Sequence, residues 1–99
     1  MLDVTADDLG LWLAGSEYRN WIEFSIAVVD LAIEYGRPVD SDSWESDKAI
    51  LLAGVGYDEV LSSLDESYYD SLDYLNNNLP KDYFFYVTDG LYLVYNKES

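Results

Sequence analysis

Tyr83-Phe84-Phe85-Tyr86-Val87-Thr88-Asp89-Gly90-Leu91-Tyr92-Leu93-Val94-Tyr95 is the stretch that decides the fold class. It is dense in aromatic and β-branched residues, and it is divided by Asp89-Gly90, a pair that favours the two-residue turn of a β-hairpin. With Asp89-Gly90 as the loop, Thr88 faces Leu91, Val87 faces Tyr92, Tyr86 faces Leu93, Phe85 faces Val94 and Phe84 faces Tyr95. Both faces of this hairpin are apolar or aromatic. A lone hairpin is marginal in water, so one face is expected to pack on helices and the other to meet a partner or a further strand. The chain upstream carries a helical period instead. The expectation is therefore an α+β fold, a single domain over residues 1–99 with two long and two short helices followed by a C-terminal antiparallel β-hairpin.

Working back from the hairpin, Leu61, Leu64, Tyr68, Leu72 and Leu75 fall at three-four-four-three spacing. With Val60 and Tyr57 beside them they predict a long helix from Tyr57 to about Asn77, ended by Asn76-Asn77-Asn78-Leu79-Pro80. Gly54 and Gly56 separate it from a short helix containing Trp44, Ala49, Ile50, Leu51 and Leu52, for which Ser43 is the expected cap. A second long helix is expected from a Ser16 cap to about Tyr35, with Gly36 and Pro38 beyond its end. Its stripes Trp21, Phe24, Val28, Leu31, Tyr35 and Ile22, Ile26, Val29, Ile33 make an apolar face wide enough to be packed on more than one side. The first helix is expected to be short. Thr5 and Asp8 form a capping-box pattern, Leu9, Leu11, Trp12 and Leu13 follow, and Gly15 stops it.

The composition limits the function classes. The 99 residues carry 20 Asp+Glu against 5 Lys+Arg, a formal charge of −15, yet 49% are apolar and 16% aromatic, enough to bury a core rather than remain a disordered acidic tail. With no Cys and no His, disulfide frameworks, thiolate catalysis, thiol zinc sites and the usual catalytic base are excluded. The expectation is a non-enzymatic protein without cofactor or metal. Asp40-Ser41-Asp42-Ser43 opens like a calcium loop, but Trp44, Glu45 and Leu51 occupy positions where such a loop needs a ligand, the turn glycine and the bidentate acid. Gly54-Val55-Gly56 lacks the Lys of a phosphate loop. Met1-Leu2-Asp3-Val4 lacks a secretory signal's basic and apolar regions, and the apolar run from Ile26 to Ile33 is broken by Asp30, so a cytoplasmic location without membrane association is expected.

Fifteen negative charges repel nucleic acid and anionic lipid and attract a basic protein surface. Ten carboxylates lie between Asp40 and Asp73 with Lys48 as the one cation. On the helix ending near Asn77 the outward face reads Glu59, Glu66, Asp70 and Asp73, flanked by Asp58 and Asp65; on the preceding long helix it reads Glu23, Asp30 and Glu34. Rows of carboxylates imitate rows of phosphates, and these nine residues are the expected contacts to Lys and Arg of a partner. Tyr69 and Tyr74 lie off the apolar stripe and are expected to be exposed beside them, as interface anchors. Solubility alone, or adaptation to high salt with few Lys, is the plainer account of such charge, and crowding of like charges costs stability.

In size, charge and aromatic content, though in no alignable motif, the chain resembles the small acidic proteins that phages and mobile elements use against restriction, CRISPR or other DNA-binding machinery of the host. It resembles equally the immunity proteins that block nuclease toxins. The likeness implies an inhibitor that mimics nucleic-acid charge and blocks a basic nucleic-acid-binding protein or nuclease, in the host cytoplasm if phage-encoded. A third expectation is an oligomerising structural module, such as a homodimer, joined through the aromatic hairpin.

Overall fold

The computed structural model describes residues 4–54 and 58–95. The expectations placed on Met1 to Asp3 and on Val55, Gly56 and Tyr57 lie outside the described residues. Among the described residues three α-helices, α1 (Trp21–Glu34), α2 (Ser41–Ala53) and α3 (Asp58–Asn77), combine with three strands, β1 (Gly10–Ala14), β2 (Tyr83–Val87) and β3 (Gly90–Tyr95). The sheet has the order β1-β3-β2 and is antiparallel throughout. The α+β class stands, while the helix count and the two-stranded sheet are corrected.

The expected N-terminal helix is replaced by a single 3₁₀ turn and a strand. The Thr5/Asp8 capping box is formed, with the Asp8 carboxylate accepting from the Thr5 N–H at 2.8 Å, but it caps only a single 3₁₀ turn, Ala6–Asp8. Gly10 then takes φ +116°, a value no continuing helix allows, and the chain runs on as β1. Pairing with the second edge of β3 satisfies the backbone of Gly10 to Ala14, which overrides the helical spacing of Leu9, Trp12 and Leu13. A bulge between Leu11 and Leu13 lets both Trp12 and Leu13 pack against the core. The Trp12 ring meets Phe85 edge-on at 5.0 Å, and its indole N–H donates to the Asp8 carbonyl at 2.8 Å.

The hairpin is present with a register one residue from that expected. Val87 pairs with Leu91, Tyr86 with Tyr92, Phe85 with Leu93, Phe84 with Val94 and Tyr83 with Tyr95. Burial selects this register, because it places Phe85, Leu91 and Leu93 together in the core and sends Tyr86 and Tyr92 to the opposite face. Neither Asp89 nor Gly90 takes a positive φ, so the glycine is not there for turn geometry. It is there for space. A Cβ on Gly90 would collide with the Leu13 carbonyl oxygen, and one on Gly15 would collide with the Asp89 carbonyl oxygen, to which the Gly15 N–H donates at 3.0 Å.

The helices cover one face of the sheet. Helix α1 begins at an Asn20 cap, whose side chain accepts from the Glu23 N–H at 3.0 Å, and not at Ser16, which sits in a 3₁₀ turn. It buries Phe24, Ile26, Val28, Val29 and Ala32 and ends before Gly36 as expected. Helix α2 is longer than expected, 13 residues, and Asp40 rather than Ser43 caps it. Helix α3 buries Leu64, Tyr68, Ser71 and Leu75 at the expected three-four spacing. One core cluster joins Phe24, Val28, Tyr68 and Leu75 to Phe85, Leu91 and Leu93; a second joins Ile26, Val29, Trp44, Leu51 and Leu64 among the helices. The Asn76 side chain accepts the outward N–H of Phe85 at 2.7 Å, which fastens α3 to the edge strand β2.

Gly90→Ala is expected to lower unfolding stability by about 1–3 kcal/mol, because backbone must move to admit the methyl. Gly54→Ala has open space and only the left-handed φ of +73° against it, so about 1 kcal/mol is expected. Urea denaturation of the two variants checks the order, and a Gly90→Ala protein as stable as the wild type would refute the close approach of β1 to the hairpin tip.

Candidate partner-binding surface

Helix α3 carries the acidic surface. Asp58, Glu59, Asp65, Glu66, Asp70 and Asp73 are all exposed, and no Lys or Arg occurs anywhere in the helix. At 1.5 Å per residue the six carboxylates span about 22 Å of helix axis, at a mean interval of about 4.5 Å. Glu59, Glu66, Asp70 and Asp73 lie within one narrow arc of the helix, with Asp58, Asp65 and Tyr69 along its flank, because these spacings are near multiples of 3.6. The stripe is unfavourable to the helix that bears it. Asp58 and Glu59 suit the positive N-terminal end, but Glu66, Asp70 and Asp73 repel one another at three- and four-residue spacing, and no basic residue stands in the last turn.

Two of the three α1 acids are engaged within the protein. Helix α2 meets the α1 polar face at Asp30, where solvent or a partner was expected. The Asp30 carboxylate accepts from the Trp44 indole N–H at 2.8 Å and from Lys48 at 3.3 Å, and Lys48 reaches on to Glu45 at 3.0 Å. The hydrogen bond to Glu45, ahead of that to Asp30, holds the Lys48 ammonium above its ordinary pKa. Glu23 is bound to Arg19 at 2.7 Å, and that hydrogen bond pulls its carboxyl below the usual range. Glu34, at the end of α1, is exposed.

The two tyrosines also part ways. Tyr69 is 63% exposed, with its ring edge-on to Tyr68 at 5.2 Å. Tyr74 is half-buried instead of exposed: its hydroxyl donates to the Tyr35 carbonyl at 3.3 Å and lies close to Gly36. An off-stripe position on α3 faces solvent only where no neighbouring loop crosses it, and the end of α1 crosses it here.

Two further surfaces come from the sheet. Its outer face presents Leu11, 52% exposed, with Phe84, Tyr86, Tyr92 and Val94, of which Tyr86 is 55% exposed. Tyr92 donates its hydroxyl to Asp89 at 2.8 Å, and that hydrogen bond raises its pKa. Tyr95 belongs to the other face, edge-on to Tyr83 at 5.0 Å. At the hairpin tip a cleft of about 420 Å³ opens between Gly15, Asp89 and Gly90 on one side and Tyr18, Trp21 and Phe24 on the other. Neither Leu11 nor the cleft was expected, because Leu11 and Trp21 read as helix positions. The available signal was Gly10 and Gly15, which bracket Leu11–Ala14 as they would a short strand.

Among the described residues no group of three or more His, Cys, Asp or Glu could hold a metal ion, and no helix is long and apolar enough to cross a membrane. Compared with protein families, curated proteins and solved structures, the chain matches none.

The charge has a thermodynamic signature. Raising NaCl from about 10 mM to about 0.5 M shrinks the screening length from about 30 Å to under 5 Å and should raise the melting temperature by several degrees, as self-repulsion along α3 is screened. A flat curve in thermal scans would show that the repulsion is compensated locally. A chain folded only near molar salt would instead point to high-salt adaptation.

Proposed function

We propose that the protein is a non-enzymatic inhibitor that binds a basic nucleic-acid-binding protein through the outer face of α3, in place of the nucleic acid. The observation that carries this reading is the row of exposed carboxylates on that helix, which no Lys or Arg interrupts. Along the stripe Glu66, Asp70 and Asp73 follow at about 6 and 4.5 Å, and all six acids average one per about 4.5 Å of axis, against one phosphate per 3.4 Å along a DNA strand. A Lys/Arg groove built for phosphates at that interval can pair with these carboxylates in series, and long-range attraction accelerates the encounter. Solubility alone does not require acids three and four residues apart at the C-terminal half of a helix, where repulsion and the helix dipole both oppose them. Tyr69 supplies an exposed aromatic contact beside the stripe. A nuclease toxin is a partner of the same chemistry, since its substrate groove is basic for the same reason. Restriction and CRISPR effectors fall in that class too.

The test is charge reversal. Glu66→Lys, Asp70→Lys and Asp73→Lys combined should leave the fold intact, since all three side chains are exposed. Association with the basic partner should slow by an order of magnitude or more and lose most of its salt dependence. Wild-type binding by the triple variant would overturn this placement of the site.

The exposed sheet face favours a second reading, self-association through Leu11, Phe84, Tyr86 and Val94. Fifteen negative charges on each copy oppose it, so association should strengthen with salt. Sedimentation velocity should then find a dimer at high salt that Tyr86→Ser dissociates, whereas a monomer at all salt concentrations would exclude this reading.

A further inference from the structure

We infer that the cleft between Tyr18, Trp21 and Asp89 is the seat of a single arginine side chain presented by the basic partner. This rests on the proposed function for the identity of the partner, and on the cleft alone for the chemistry of the ligand.

Three aromatic residues, Tyr18, Trp21 and Phe24, line the cleft, and each ring has an aromatic neighbour. Tyr18 stands edge-on to Phe24 at 5.9 Å, and Trp21, itself 45% exposed, stands edge-on to Tyr68 at 5.9 Å. Aromatic faces attract cations, Trp most strongly, and a planar guanidinium also stacks on them. The opposite wall is the hairpin tip, where Gly15 and Gly90 add no side-chain bulk and Asp89, whose carboxylate also accepts the Tyr92 hydroxyl at 2.8 Å, adds a negative charge. One acid, Asp89, thus stands at an aromatic cleft. Of the positive features in the neighbourhood, Arg19 is paired with Glu23 at 2.7 Å, and the Asn20 side chain accepts the Glu23 N–H at the start of α1. A volume of about 420 Å³ admits one long side chain.

The position of the cleft links it to the acidic stripe. Tyr69 flanks the stripe and touches Tyr68 at 5.2 Å; Tyr68 touches Trp21 at 5.9 Å. The exposed rings of Tyr69 and Trp21 are therefore no more than about 11 Å apart, measured through Tyr68. A basic surface lying along α3 has the cleft within reach of a neighbouring arginine. The stripe supplies attraction over distance, and the cleft supplies a contact of defined shape, which is where interface energy concentrates.

The experiment needs no partner. The isotope-labelled protein is titrated with Nα-acetyl-arginine amide, and in parallel with the citrulline analogue, which has the same shape without the charge. Amide and indole NMR shifts should centre on Gly15, Tyr18, Trp21 and Gly90, with the citrulline compound about 3- to 30-fold weaker, the range of a cation–aromatic contact. Trp21→Leu, which keeps apolar bulk and removes the aromatic face, should weaken arginine amide by a similar factor, and Asp89→Asn, which removes charge but no bulk, should weaken it less. The Glu66/Asp70/Asp73 triple reversal should still bind arginine amide in the cleft, so the stripe and the cleft fail or stand separately. Equal binding of the two compounds, shifts confined to the acids of α3, or no shift at the cleft would each overturn the inference.

Discussion

The backbone of Gly15 lies directly against the backbone of Asp89 and Gly90, with no room for a Cβ on either glycine. Much of the architecture follows from that approach. It joins the end of β1 to the start of β3, makes β3 the central strand of three, and leaves Leu91 and Leu93 fully enclosed beneath the helices. It brings Thr88 to Gly90 beside the turn that leads into α1, so the cleft exists only because the hairpin tip is held there. It also sets which aromatic residues stay outside. With Val87 opposite Leu91, Tyr86 and Tyr92 share the outer face with Leu11.

Charge is divided in the same way between elements that are enclosed and elements that are not. Helix α1 has neighbours on both sides: the sheet cluster receives Phe24 and Val28, and α2 receives Ile26 and Val29. Asp30 consequently bonds Trp44 and Lys48 of α2, while Glu23 pairs with Arg19 four residues before it and Glu34 stays exposed. Helix α3 buries one side only, and its six outward acids have no basic residue of their own helix to meet. The same residue type at the same helical spacing thus serves cohesion in one helix and exposes charge in the other. Neighbouring elements, not periodicity, make the difference.

A partner surface assembled from the α3 stripe, Tyr69 and the cleft would combine two physical ranges. Carboxylate attraction acts over roughly 8–10 Å at moderate salt and guides approach from many orientations. Contact with Trp21 and Tyr18 acts only within a few ångström and requires one orientation. Without the second element, an acidic stripe would favour many basic proteins almost equally; the aromatic cleft is what can discriminate among them.

The sequence by itself determined the α+β class, the core stripe of α3, the end of α1 at Gly36, the pairing of the two C-terminal strands as a hairpin and the outward acids of α3. Each of these is written in local periodicity or in a residue that stops an element, so it is readable without knowing any neighbour. Tertiary structure alone decided that Gly10–Ala14 is a strand, that the hairpin shifts by one residue, that α2 engages Asp30, and that Tyr74 is held by Tyr35. These depend on contacts between segments remote in the chain. Leu9, Trp12 and Leu13 suit a helix as well as a strand, and only the open edge of β3, some eighty residues later, offers their backbone a better set of hydrogen bonds.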